Sequence, residues 1–192
     1  ASIAPLEIIA PVLDETGIDA TIVAIGAAVG SGGDAGAGSA AVNVFTPTTR
    51  ALVGAATKLT AGGDIAVRAV DATQVIDVVG ALAASKDKKG VGVGLDVTVV
   101  VKVTEARVFE SAVVGTPTVL NALGHVIVEA IGTEDFFTLS VNIGAGDSTA
   151  VAGGAIVLVN DTDTLARLGA TDGPVGGLVV TADDTLHVAA ES

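Results

Sequence analysis

The chain has 192 residues, enough to bury a core without disulfide or metal staples, and half of them are apolar. Against 9 Lys and Arg stand 22 Asp and Glu, a net charge of −13, which excludes the clustered positive charge that nucleic acids and anionic membranes require. With no Cys, Trp, Tyr or Met and only four Phe, the apolar mass is Ala, Val, Ile and Leu interleaved with 25 Gly.

Along the chain, the first segment ASIAPLEIIAPVLDETG is bracketed by Pro5 and Pro11. Proline cannot donate to a strand ladder, so residues 1–18 are expected to form an extension: a cap, a linker or a strand donated to a neighbour. In the last case residues 1–13 would mediate assembly. The opening Ala1 is compatible with a processed end or an excised piece. Residues 19–192 are expected to form one repeat-built β domain. DATIVAIGAAVGS from Asp19 is the first strand, and Gly-Gly at 32–33, 62–63, 153–154 and 176–177 is expected to mark corners.

In 64–70, Ile65, Val67 and Ala69 share one face and Asp64, Ala66 and Arg68 the other. Val126, Val128 and Ala130 repeat the inward set, with His125 and Glu129 outward. A period of two with one buried face is strand behaviour. The β-branched runs 97–103 and 150–159 add to it. A helical alternative over 51–59 is cut short by Ala61-Gly62-Gly63. The longest run without a charged residue, 111–128, contains Gly115, Pro117, Asn121 and His125 and makes a poor membrane span. A transmembrane barrel would lack its aromatic girdles, so no membrane insertion is expected.

Self-similarity is the strongest pattern. Segments starting at Gly38, Gly94 and Gly154 align at separations of 56 and 60 residues, matching Thr48 with Thr104 and Thr164. AGGDIAVRA from Ala61 matches ALGHVIVEA from Ala122, with GGLVVTA from Gly176 as a shorter version. DATIVAIGAAVGS from Asp19 matches DATQVIDVVGALAAS from Asp71 and EDFFTLSVNIGAG from Glu134. Short strands, glycine corners and small aliphatic side chains predict an all-β fold, a β-solenoid (β-helix) of roughly ten short coils in about three repeat units. The alternative is a β-sandwich or jelly roll with a donated N-terminal strand.

The succession DATIVAIGAAVGSGG, GAGSAAVNVFTPTTRALVG and TAGGDIAVRA resembles repeats of very large secreted bacterial exoproteins. These are the leukotoxin-like and filamentous-haemagglutinin-like adhesins with β-helical passenger regions. The resemblance is carried by Val42-Asn43-Val44, Thr49-Arg50-Ala51-Leu52 and 61–67. It implies an extended, non-enzymatic surface structure without catalytic residues, secreted or at the cell surface, that self-associates as a fibre subunit or continues a larger repeat protein. A host or matrix surface ligand is a possible partner. The alternative function is a carbohydrate-binding or carbohydrate-active β-helix module.

No residue is expected to be catalytic, to bind a cofactor or to ligate a metal. His125 and His187 lie in different repeats, and zinc wants three or four ligands. Ser111, His125 and Asp147 have no spacing that marks a triad. The oxygen cluster Asn160-Asp161-Thr162-Asp163 and the pair Asp183-Asp184 are expected at turns, with Asp161 and Asp163 the conceivable calcium ligands, although the calcium-loop motifs are absent. The Gly30–Gly38 stretch lacks the phosphate-loop ending and is expected to be a turn. Lys86-Asp87-Lys88-Lys89 is expected at a solvated loop tip. Arg50, Arg107 and Arg167 are expected to pair with acids on the outer face, and Lys102 to interrupt an outer Thr row containing Thr46, Thr48, Thr162 and Thr164.

Overall fold

The computed structural model of the chain describes residues 16–31, 33–86, 88–169 and 176–192. These residues are all-β, with no helix among them. The expected role of residues 1–13 lies outside the described residues.

The strands fall into successive layers. The first layer holds β1 (Thr16–Gly30), β2 (Ala35–Phe45), β3 (Thr48–Val53) and β4 (Lys58–Ala61). The second holds β5 (Ile65–Ser85), β6 (Lys89–Val108) and β7 (Thr118–Ala122). The third holds β8 (Val126–Gly146), β9 (Thr149–Leu168) and β10 (Leu178–Ala182), and β11 (Leu186–Glu191) begins a fourth. Every ladder between these strands is parallel. The first sheet runs β1-β5-β8-β11, the second joins β2 and β3 through β6 to β9, and the third runs β4-β7-β10.

Hydrogen-bonded partners are one whole repeat apart. Thr16 pairs with Asp71, Ile65 with Val126 and Lys89 with Thr149, separations of 55, 61 and 60 residues. The stacking unit is therefore the complete repeat, and the expected subdivision into roughly ten short coils does not occur among the described residues. A sandwich or jelly roll of antiparallel strands is likewise not what these residues form. Among the described residues the one antiparallel contact is an isolated bridge between Ser111 and Gly177.

Connections absorb the change in repeat length. The turn joining β3 to β4 is residues 54–57, whereas the segment joining β6 to β7 is residues 109–117. That longer segment is tied down by buried Ser111, whose Oγ approaches the Val113 carbonyl (3.4 Å) and Thr116 Oγ1 (3.5 Å).

The register corrects three of the sequence alignments. Thr49, not Thr48, lies beside Thr104 and Thr164. Asp19 lies beside Gln74, and Glu134 beside Thr73. Leu178–Ala182 pairs with Thr118–Ala122, while the partner of Val126–Ile131 is Leu186–Glu191. A one-residue slip would turn every side chain of a strand to its other face. What pins the first layer is inward Thr49, whose Oγ1 donates to buried Asp71 Oδ2 at 2.6 Å. The match of Ala61 with Ala122 and the inward set Ile65, Val67, Ala69 are as expected.

Where the three sheets meet, Ile65, Val67, Ala69, Val126, Val128 and Ala130 from the first sheet pack on Ala106 and Val108 from the second and Leu120 and Ala122 from the third. Beyond this junction the first and second sheets continue face to face as a thin slab. Its interior is lined by small residues because the backbones come very close. A Cβ added at Gly92 would lie 2.8 Å from the Ile143 carbonyl oxygen and 3.1 Å from that of Ala81. Gly154 is similarly close to Asn142 and Ser140, so Gly153-Gly154 lies within β9 and is not a corner. The slab's outer faces are aliphatic: Val23, Ile25, Leu139, Val141 and Ile143 on one side, Val42, Val44, Val93, Val157 and Val159 on the other.

Candidate functional site

Two polar clusters are built into the interior between the first and second sheets. In the first, Lys102 of β6 is buried with its whole side chain. Lys102 lies beside Thr162, where it interrupts the Thr row as expected, but it faces inward. Alternation along β6 places it on the same side as Thr98, Val100 and Thr104, which are fully buried. Its Nζ meets Asp71 Oδ1 at 2.7 Å and Glu134 Oε1 at 2.8 Å, and donates to the carbonyls of Thr133 (3.1 Å) and Asp71 (3.3 Å). Thr73 Oγ1 donates to Asp71 Oδ1 at 3.0 Å. With Thr49 the network links three layers, compensating a cation that burial would otherwise make costly.

The second cluster has carboxylates without a cation. Asn43 Nδ2 donates to Asp77 Oδ2 at 2.7 Å, and Thr98 Oγ1 donates to the same oxygen at 3.0 Å. Asp77 and Asp96 are both buried side by side, and apart from each other Asp77 Oδ1 and Asp96 Oδ2 have no hydrogen-bond partner. Burial, and then the hydrogen bond and charge of Asp77 beside it, push the Asp96 carboxyl up to about 6. Asp96 can take up a proton in mildly acidic solution. Among the described residues no group of three or more His, Asp or Glu is placed to hold a metal ion.

The other residues singled out by the sequence disperse. His125 Nε2 sits 3.3 Å from Asp184 Oδ2, both partly exposed, and His187 lies on β11. Ser111 bonds to its own loop, and Asp147 is in the turn after β8. Asp183 and Asp184 occupy a turn, as expected, but Asp161 and Asp163 lie within β9 and point outward two residues apart. Of the Gly30–Gly38 stretch, the turn occupies only the residues between Gly30 and Ala35, and Gly36 and Gly38 are already in β2. Lys86 and Lys88 lie between β5 and β6, as expected of a loop tip, but Lys89 is already the first residue of β6. Arg50 Nε meets Glu105 Oε2 at 3.2 Å, and Arg107 Nη1 meets Glu105 Oε1 at 3.7 Å while its guanidinium lies 4.3 Å from the Phe109 ring centre. Glu105 joins both arginines because the register sets Arg50 beside Glu105, and Arg107 beside Leu52 and Arg167. The sequence offered no hint of the Asp77–Asp96 pair or of buried Lys102, since only facing strands bring these distant residues together.

The remaining chemical feature is the backbone itself. The described strands of the first layer pair on one edge only, with the second layer. At the other end β9 pairs only with β6, and β8 has a partner beyond it only along 126–131, where β11 lies. Inward positions of the third layer are left half-open, Ile156 and Leu158 at 38% and 40% exposure, whereas their second-layer neighbours Asp96 and Thr98 are buried. Such rows of N–H and C=O groups are templates for another strand.

No protein-family model, curated protein or solved structure matches the chain. No helix among the described residues is long and apolar enough to cross a membrane.

Proposed function

We propose that the chain is a non-enzymatic structural segment, a β-solenoid that self-assembles by stacking into a fibre or stalk. In this proposal it serves a secreted bacterial surface protein of the kind its repeats resemble. The observation that supports this is that, among the described residues, parallel edges at opposite ends of one stack have no further strand, and each layer repeats the path of the last. An edge of this kind gains hydrogen bonds and covers aliphatic side chains when another layer is added. Aliphatic outer faces, with neither Trp nor Tyr, favour a structural role over a carbohydrate-active groove.

Negative-stain electron microscopy across dilution and salt tests the proposal. Uniform fibres are expected, lengthening with salt because a net charge of −13 on each copy opposes association until it is screened. Discrete particles of one size at every concentration and ionic strength would overturn self-assembly.

A further inference from the structure

Beyond the edges of the stack, we infer that the outer face of the first sheet is an interface between two copies of the chain, packed face to face with their strands running in opposite directions. The slab keeps charged and hydroxyl side chains between its sheets and turns a charge-free apolar face outward. Asp71, Thr73 and Asp77 of β5 and Thr98, Lys102 and Thr104 of β6 are all buried. By the alternation of the same strands, the outward positions of 23–29, 76–84 and 137–145 hold only Val, Ile, Leu, Phe, Ala and Gly. Ile25, Phe137 and Ile143 are 67%, 55% and 51% exposed. A contiguous apolar face of this kind marks a docking surface, because taking its area out of water is favourable.

The ends of the face argue for a second copy as the occupant. At one end Asp19 and Asp135 flank Gln74 in register, all three on outward positions. At the other end Lys86 follows Ser85 in the same outward phase of β5. Reversing the strands about the row Ile25, Gly80, Val141 sets Lys86 of one copy over Gln74 of the other, between its two carboxylates. Strands running in the same direction would instead set Asp19 over Asp135, where like charges repel. Asp147, in the turn after β8, shares the lysine end, so the attraction rests on Lys86 at each end of the pair. The area is also sufficient. From Gln74 to Lys86 the face is about 40 Å long and, with three strands, about 14 Å wide, so two copies cover on the order of 1,100 Å² between them, above the roughly 1,000 Å² that a specific interface needs.

The absence of cysteine makes the joint testable by cross-linking. On the proposed axis Ile25 faces Ile25 of the other copy across about 10 Å, too far for a disulfide but within the span of a short bis-maleimide. Val29, 84% exposed on the same strand and face, would lie about 26 Å along the strands from its counterpart. Ile25→Cys is therefore expected to give cross-linked dimer, and Val29→Cys at least about tenfold less. Lys86→Glu is expected to lower the Ile25→Cys dimer about tenfold at low salt, and adding Asp19→Lys and Asp135→Lys to restore it. Stacking on the edges alone would trap Ile25→Cys and Val29→Cys equally. Equal trapping, or fibres of Ile25→Cys without the cross-link, would overturn the face joint and leave the proposed function standing. Cross-linked dimers of one size without fibres would do the reverse. Flotation of the wild-type chain with phosphatidylcholine vesicles, with no cross-link in Ile25→Cys, would assign the face to lipid and overturn the joint. Wild-type chain that sediments as monomer at every concentration and salt would overturn both.

Discussion

The Lys102 side chain is fully buried, and its stability rests on Asp71, Glu134 and two carbonyls. Lys102→Met keeps the length of the side chain but leaves two carboxylates facing each other without a cation. A loss of about 3–5 kcal/mol is expected, seen as a lower urea midpoint with unchanged slope. Asp96 behaves in the opposite sense. Its folded pKa of about 6 lies above the ordinary 3.8, so the folded chain binds this proton more tightly than the unfolded chain. Its contribution to stability is fully present below about pH 4 and is lost as pH rises through about 6. Asp96→Asn is therefore expected to melt higher than wild type at pH 8, with the gap closing by pH 4. A gap that is constant with pH would contradict the assignment. Neither residue announced itself in the sequence: Lys102 sits in a β-branched run that reads equally well in either facing, and Asp77 and Asp96 are 19 positions apart.

At the level of strands, close approach of the two long sheets explains why the chain uses glycine and alanine where they come closest, around Gly92 and Gly154. Rings enter only further along, Phe45 beside Val100 and Phe136 beside Val75. Gly92→Val would drive its side chain against the backbone oxygens of Ile143 and Ala81, which cannot rotate away. A destabilisation of about 1–3 kcal/mol or more is expected by thermal or urea unfolding. Gly36→Ala, where an added Cβ meets nothing within 4 Å, should be neutral or slightly stabilising and serves as the control. Strand existence and facing were legible around 65–70 and 126–130, where charge and aliphatics alternate cleanly. Register was not legible in the first repeat, because outward and inward positions there are both Gly, Ala, Val and Thr. The choice of Thr49 over Thr48 depends on its hydrogen bond to Asp71, a partner on the facing sheet.

For the whole molecule, the described strands at opposite ends of the stack have free edges. In the proposed self-assembly the net charge of −13 opposes their meeting, so association is expected to follow ionic strength.

Composition and period by themselves determined that this chain is β, repetitive and aliphatic, because alternation and side-chain size act within each strand. The tertiary structure alone decided that one repeat makes one layer. It also decided which Thr faces inward and that ionised groups lie between the sheets. Those outcomes depend on pairing between residues 55–61 positions apart and on contacts across facing sheets, and neither leaves a mark in local sequence.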